Sequence, residues 1–258
     1  MPDNVTNLFV HQSAAARYAA ARPYFHPLVI RRIADFTQSP RVGRALDVGC
    51  GTGQSARALA AIAERVDAID ISPAMISAAE PHERVHYTVS PAEQTSFANE
   101  SFDLATVGLA FHWFDQTAFF GEMRRVLKSG AWLVVYTSGI TGEMAENPEF
   151  RTAAWVPYLQ RFPSPARRAM GVNTAQVEPF GLTLAGTENF AHQERLTAEQ
   201  LTAYLLTQTN VIAAVEAGTT PLDEAANWIH HCVQSYFQDK TRTLKFTGTI
   251  WYVRRTAA

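Results

Sequence analysis

Three glycines lie in a short turn after an apolar run, with an acidic residue just before them. The segment ALDVGCGTGQ at 45–54 contains Asp47, Gly49, Gly51 and Gly53. Glycine accepts positive φ angles and lets a ligand approach the main chain without a Cβ in the way. The turn leads into a predicted helix, whose free N–H groups favour negatively charged ligand groups. The segment therefore predicts a turn that binds a small molecule.

A second carboxylate, Asp70, ends the next predicted strand, 21 positions after Gly49. A carboxylate there can accept hydrogen bonds from both hydroxyls of a ribose, or it can cap a following helix. The dinucleotide pattern G-x-G-x-x-G would require a glycine where the chain has Gln54. The observed G-x-G-x-G spacing favours instead a nucleoside bearing an amino acid, because Asp47 or nearby carbonyls could attract its ammonium group.

Short apolar runs alternate with alanine-rich stretches between residues 44 and 138. The predicted strands are 45–48, 66–70, 85–89, 102–109 and 131–136, and the predicted helices are 54–64, 73–80 and 116–127, with an irregular turn at 91–97. Ser72 is a predicted N-cap followed by Pro73, and Lys128-Ser129-Gly130 is predicted to end a helix. This alternation predicts an α/β fold with a doubly wound, mostly parallel sheet.

The rest of the chain has a different character. We predict an N-terminal helical segment over the cofactor site at 1–40, a binding core at 41–139, an inserted lid of short helices and loops at 140–180, and a C-terminal part of the sheet with substrate-side helices at 181–258. Within the last part, the patterns predict strands at 182–190 and 243–253 and helices at 197–206 and 222–237.

The composition favours a globular, cytoplasmic protein. Hydrophobic residues make up 47% of the 258 residues, charged residues 18%, and the formal charge is −2, which gives no general attraction to nucleic acid or anionic lipid. Cys50 and Cys232 lack metal-ligand spacing, so no metal site is expected. Residues 1–7 lack the pattern of a signal peptide, and no apolar run reaches the roughly 18–20 residues that span a bilayer. Four arginine pairs, at 31–32, 124–125, 167–168 and 254–255, are interpreted mainly as solvated faces.

Four blocks of the sequence resemble class I S-adenosylmethionine-dependent methyltransferases of the small-molecule (type 11) group. They are LDVGCGTG at 46–53, AIDISPAMI at 68–76, AEQTSF at 92–97 and FDLATVGLAFHWFD at 102–115. The flanking segments YAAARPYF at 18–25 and YLLTQTNVIAA at 204–214 are similar to the trans-aconitate methyltransferase-like branch. The resemblance implies a Rossmann-like fold with seven strands, S-adenosyl-L-methionine as cofactor and S-adenosyl-L-homocysteine as product.

The same resemblance implies a role for each matched position. The glycines would line the methionine and ribose portion of the cofactor, Asp70 would hold the ribose, and residues after the later strands would meet the adenine and the methionyl part. The predicted cofactor contacts are Asp47, Gly49, Gly51, Gly53, Asp70, Ile71, Met75, Ala92, Glu93, Ala110, His112, Tyr18 and Arg22. Core packing remains an alternative for Met75, a surface position for Glu93, and a structural salt bridge for Arg22.

The methyl acceptor is predicted to be a small molecule, without nucleic-acid or membrane partners, bound by a monomer or homodimer. His112 could be a catalytic base, a pocket-lining residue or a structural one. Trp113, Arg161 and Arg167 are the predicted substrate contacts. A carboxylic acid giving a methyl ester is the leading hypothesis, since carboxylates are ionised at pH 7 and arginines bind them. An NAD-dependent oxidoreductase and a catalytically inactive cofactor-binding partner protein remain alternatives.

Overall fold

The computed structural model of the chain describes residues 12–256, with side chains from residue 15 onward. Parts of the predicted N-terminal and C-terminal segments, at 1–11 and 257–258, therefore lie outside the described residues. The chain forms two compact units. The larger unit contains Tyr24–Ser138, Arg167–Phe190 and the chain from Gly248, and the smaller contains the described residues up to Pro23, Gly139–Ala166 and Ala191–Thr247.

The described residues contain ten α-helices and eight strands. The helices are α1 (Gln12–Ala21), α2 (His26–Thr37), α3 (Gln54–Leu59), α4 (Pro73–Ser77), α5 (Gln116–Val126), α6 (Val156–Arg161), α7 (Thr174–Val177), α8 (Ala198–Leu205), α9 (Thr209–Glu216) and α10 (Leu222–Phe237). The strands are β1 (Val42–Val48), β2 (Ala63–Asp70), β3 (Val85–Val89), β4 (Phe102–Gly108), β5 (Leu127–Tyr136), β6 (Gly139–Met144), β7 (Leu182–Leu196) and β8 (Arg242–Arg255). No helix within 12–256 is both long and apolar enough to cross a bilayer.

The sheet of the larger unit has the order β3-β2-β1-β4-β5-β8, with β7 also pairing with β8. Neighbours from β3 to β5 run parallel, and β8 runs antiparallel to β5. The predicted mostly parallel α/β sheet is therefore confirmed, with β6 as an eighth strand beside the seven that were predicted. Because β1 lies between β2 and β4 and the three strands are parallel, the turns that follow them lie next to one another at the carboxyl ends of the strands.

Both faces of this sheet are covered by helices, as a parallel sheet requires. Alternate strand residues such as Leu46 and Val107 pack with Phe119 and Met123 of α5 in one buried cluster. Their neighbours along the strands pack in a second cluster with residues of α2 and α3, including Ile33. Alternate side chains of each strand thus pack into a buried core on each face of the sheet. These two cores hold the strands, and therefore the turns at their ends, in place.

Two predicted boundaries in this region are wrong. The helix predicted at 54–64 ends at Leu59, and β2 begins already at Ala63 because it pairs with Val42 at the start of β1. Lys128-Ser129-Gly130 was predicted to end a helix, but α5 ends at Val126 and these residues lie in β5. Strand β5 begins at Leu127 because Leu127 pairs with Phe102 of β4, whereas the local composition predicted a start at residue 131.

The segment predicted as short helices and loops, 140–180, begins instead with a strand. Strand β6 lies in the smaller unit, where Ile140 pairs with Phe246 and Met144 with Leu244 on the first half of β8. A wide helical turn (Arg151–Trp155), α6 and α7 follow, as short helices were predicted to do. The strand was missed because its partner lies about a hundred residues away in the sequence.

Candidate active site

Asp70 and the glycine turn are joined by a direct hydrogen bond. The Gly51 N–H donates to Asp70 Oδ2 at 2.9 Å, and the Ser72 N–H donates to Asp70 Oδ1 at 2.8 Å. Burial raises the pKa of the Asp70 carboxyl above its usual value, although both backbone donors lower it. Each carboxylate oxygen has a further lone pair, so Asp70 can still accept two hydroxyl groups. The structure thus brings together the two features from which a ribose site was predicted.

The three glycines of the turn all have positive φ, between +53° and +81°. A Cβ on Gly49 would lie 2.5 Å from Ala110 Cβ, so this glycine lets the turns after β1 and β4 pack together. A Cβ on Gly53 would overlap the Tyr87 ring. A Cβ on Gly51, by contrast, would meet nothing within 4 Å. The open space beside Gly51 fits a bound nucleoside, whereas the other two glycines serve packing.

Asp47 lies beneath the turn and is fully buried. Its carboxylate accepts hydrogen bonds from Ser55 Oγ at 2.5 Å and from Thr106 Oγ1 at 2.8 Å. Burial raises the pKa of Asp47 to about 6, against the lowering effect of these two hydrogen bonds, and the nearby Asp70 charge adds to the rise. The carboxylate therefore holds β1, β4 and α3 together.

The residues predicted to meet the adenine lie after β2 and β3. Ile71 directly follows Asp70 and is 60% exposed, which is unusual for an isoleucine and fits an apolar ligand surface. Met75 and Ala92 are buried. The half-buried Glu93 uses one carboxylate oxygen to accept the Asp115 N–H at 2.9 Å. Glu93 thus links the loop after β3 to the turn after β4.

His112 lies in the single helical turn Phe111–Trp113, which follows β4. The side chain is buried, and its Nε2 has no hydrogen-bond partner among the described residues. Burial, with the Arg167 cation nearby, lowers the pKa of the His112 imidazole to about 4. A buried polar atom without a partner is costly unless a ligand pairs with it. This orphaned nitrogen is a second observation that fits a ligand at the carboxyl edge of the sheet.

A pH titration of stability tests the state of His112. The pKa of an unfolded histidine is about 6.5, and the folded His112 has a lower pKa, so the unfolded chain takes up the proton more readily. The free energy of unfolding is therefore fully retained above pH 6.5 and decreases as the pH falls towards 4. We expect His112→Gln to reduce the loss of unfolding free energy between pH 7 and pH 4 by about 2–3 kcal/mol. The exposed His86 gives the matched control, His86→Gln. Identical pH dependence in wild type and His112→Gln would contradict the buried neutral imidazole.

Three of the predicted contact residues, Tyr18, Arg22 and Arg161, belong to the smaller unit. The Arg22 guanidinium lies over the rings of Tyr18, at 4.5 Å, and Tyr204, at 5.3 Å, and its Nη2 donates to the Thr207 carbonyl oxygen at 2.7 Å. Arg161 forms an exposed ion pair with Glu224 at 2.9 Å. The roles of Tyr18, Arg22 and Arg161 towards cofactor or substrate stay predictions.

Sequence reasoning missed three residues that shape the site. Ser55 and Thr106 hold Asp47, and Arg168 donates to the carbonyl oxygens of Trp113 and Phe114 in the turn that carries His112. A hydroxyl at the second position of the helix after a glycine turn is a weak signal that could have indicated Ser55. Nothing local to Arg168 indicates which carbonyls it reaches.

The comparisons with known proteins agree with this geometry. Residues 46–135 match the model of the family described as methyltransferase domain, which is about a third of the chain. Fold, site and match together define these residues as a class I methyltransferase domain, the class that uses S-adenosylmethionine. The matched segment contains the glycine turn, Asp70 and the turn with His112.

Relatives extend the likeness beyond this domain. A solved structure from Anaeromyxobacter dehalogenans, assigned as a type II methyltransferase, is 29% identical with a TM-score of 0.70, covering 90% of this chain and 97% of its own. A Dictyostelium discoideum protein assigned as a methyltransferase is 34% identical over 37% of this chain and 36% of its own. The malonyl-[acyl-carrier protein] O-methyltransferase of Pseudescherichia vulneris is 31% identical over 52% of this chain and 55% of its own. The chain thus spans less than two thirds of these two curated relatives.

Proposed function

We propose that this chain transfers the methyl group of S-adenosylmethionine to a small organic acid, forming a methyl ester. The observation that carries the acceptor class is a buried, neutral His112 close enough to the exposed Arg167 for that cation to lower the imidazole pKa. An affiliation with the trans-aconitate methyltransferase-like branch is part of the proposal, as are a cytoplasmic location, action as a monomer or homodimer, and independence from nucleic acid.

The cofactor would be held by residues at the ends of β1, β2 and β4. When bound, S-adenosylmethionine supplies an electrophilic methyl group on a sulfonium. Asp70 would accept the ribose hydroxyls, Gly51 would leave room for the nucleoside, and Ile71 would lie against the adenine. Asp47 would supply negative charge beneath the turn, on the side where an ammonium group is favoured. In-line positioning of an acceptor can contribute about 7–11 kcal/mol in favourable cases.

His112 is a poor base in this environment. An imidazole with a pKa of about 4 is neutral at pH 7 and takes a proton from a phenol or ammonium only with difficulty. Its free Nε2 can nevertheless form one hydrogen bond that orients an acceptor oxygen. A carboxylate needs no base, and the Arg167 guanidinium attracts its negative charge. These properties together favour an acid over a phenol or amine.

The name of the Pseudescherichia vulneris relative, an O-methyltransferase, supports transfer to oxygen. The direct test is transfer of a radiolabelled methyl group from S-adenosylmethionine to pooled small acids, phenols and amines. We expect label in the acids as base-labile esters. Transfer to phenols or amines and to no acid would contradict the acceptor class. Cofactor binding without transfer to any pool would favour the inactive partner protein.

An Arg167→Gln variant tests the cation directly. We expect the KM for an acid acceptor to rise roughly tenfold or more, because a charge-assisted pair is lost, while S-adenosylhomocysteine affinity stays unchanged. Arg31→Gln, which removes another exposed arginine of the larger unit, serves as the control. An unchanged KM in Arg167→Gln would remove Arg167 from acceptor binding.

A further inference from the structure

The turn that carries His112 is held by an arginine from a distant part of the chain. Arg168 is half-buried, and its Nη1 donates to the carbonyl oxygens of Phe114 at 2.6 Å and Trp113 at 3.3 Å. Carbonyls at the end of a helical turn lack partners within the turn and need external donors. Arg168 thus supplies the partners that so short a turn cannot supply itself.

This turn needs external support because its approach is strained. Leu109 connects β4 to the turn with a φ of +62°, a left-handed conformation that side chains other than glycine rarely adopt. Such residues persist where surrounding contacts determine them. The Leu109 N–H donates to the Tyr136 carbonyl oxygen at 3.0 Å, and Glu93 accepts the Asp115 N–H beyond the turn. Arg168 adds the support at the end of the turn itself.

The segment that contains Arg168 is bound to α5 as well. Gln116 Nε2 donates to the Ala169 carbonyl oxygen at 2.7 Å, and Gln176 Nε2 donates to Gln116 Oε1 at 3.0 Å. The adjacent Arg167 is the cation that acts on His112. A single short segment therefore holds the turn that carries the imidazole and also contains the cation that acts on it.

We propose that Arg168 is a positioning residue for methyl transfer, which sets the place of His112 and, through the adjoining backbone, of the Arg167 cation. The inference rests on the proposed function for its effect on turnover. The acidic side chains on neighbouring segments already have backbone partners. Glu93 accepts the Asp115 N–H, and Asp115 accepts the N–H groups of Thr117 and Ala118.

The test compares Arg168→Gln and Arg168→Lys with the control Arg254→Gln. Arg254 also donates to a backbone carbonyl, that of Gly130 at 3.3 Å, but on β5 and β8. The readout is the NMR titration of the His112 imidazole in the full chain, assigned through His112→Gln. We expect Arg168→Gln to raise the His112 pKa by about one unit or more, because a loosened turn admits water. Arg168→Lys should give a smaller rise and the control none.

Kinetics provide the second readout. With an acid acceptor, we expect kcat to fall roughly tenfold in Arg168→Gln, because misplacement of an orienting group impairs reaction more than binding, while S-adenosylhomocysteine affinity stays unchanged. An unchanged His112 titration in the folded Arg168 variants would overturn the inference, even if stability fell. Should Arg168→Gln not fold, the same outcome in Arg168→Lys would overturn it. If the wild-type protein methylated no acid, the proposed function would be wrong. The His112 titration would still show whether Arg168 positions the turn that carries His112.

Discussion

Asp70→Ala is expected to reduce the affinity for S-adenosylhomocysteine by at least about a hundredfold. Two hydroxyl hydrogen bonds to a carboxylate would be lost, each worth about 1.5–3 kcal/mol, and every 1.4 kcal/mol is a tenfold change. The variant also leaves the Gly51 and Ser72 N–H groups without their acceptor. Asp70→Asn keeps an acceptor oxygen and should fall between wild type and alanine. Titration calorimetry measures the three affinities.

The matched control is Asp103→Ala on β4. Asp103 also accepts a backbone N–H, that of Arg44 at 2.9 Å, and is paired with Lys128 at 2.6 Å. Asp103 is the second residue of β4, whereas Asp70 is the last residue of β2, so the two carboxylates lie at opposite ends of the parallel strands. We expect Asp103→Ala to lower stability without weakening cofactor binding. Near-normal affinity in Asp70→Ala would refute its ribose role.

Gly51→Val is expected to abolish measurable cofactor binding for a different reason. A Cβ at this position meets no protein atom within 4 Å, so the branched side chain would occupy space assigned to the ligand. The φ of +53° adds strain of about 1–2 kcal/mol. Both effects act on the variant, so strain and steric blocking must be separated.

Gly218→Val separates them. Gly218 has a φ of +68°, nothing within 4 Å of its built Cβ, and a place in the smaller unit after α9. We expect both valine variants to lower the melting temperature by similar amounts, and only Gly51→Val to lose S-adenosylhomocysteine binding. Binding retained in a folded Gly51→Val would contradict the assignment of the turn.

The features predicted correctly are those encoded by neighbours in the sequence. The strand–turn–helix around Gly51 and the N-cap Ser72, which accepts the Met75 N–H, follow from local residue types. Asp70 meets Gly51 because adjacent parallel strands end at the same edge of the sheet. The class of the domain follows from these same local blocks.

The features missed depend on partners far away in the chain. Asp47 and Thr106 pair across 59 positions, and β6 forms by pairing with the distant β8. The interpretation of the arginine pairs as solvated faces is wrong for Arg255, which is 7% exposed and pairs with Glu100 at 2.7 Å. It is also wrong for Arg168, which is half-buried and donates to two backbone carbonyl oxygens. A pair of adjacent arginines in the sequence does not indicate which carbonyls the folded chain places beside them.

The lid role predicted for 140–180 also depends on long-range structure. Its first part, to Ala166, belongs to the smaller unit, and Arg167 onward belongs to the larger. The hydrogen bonds of Arg168 and Gln116 describe how the second part is held. Closure over a bound ligand stays a prediction.

We propose that the turn at 49–53 and Asp70 bind the adenosyl part of S-adenosylmethionine. Titration calorimetry of the purified chain with S-adenosylhomocysteine and, separately, with NAD tests it most directly. We predict one-to-one uptake of S-adenosylhomocysteine that disappears in Gly51→Val, and no uptake of NAD. Heat from NAD and none from S-adenosylhomocysteine would contradict the claim.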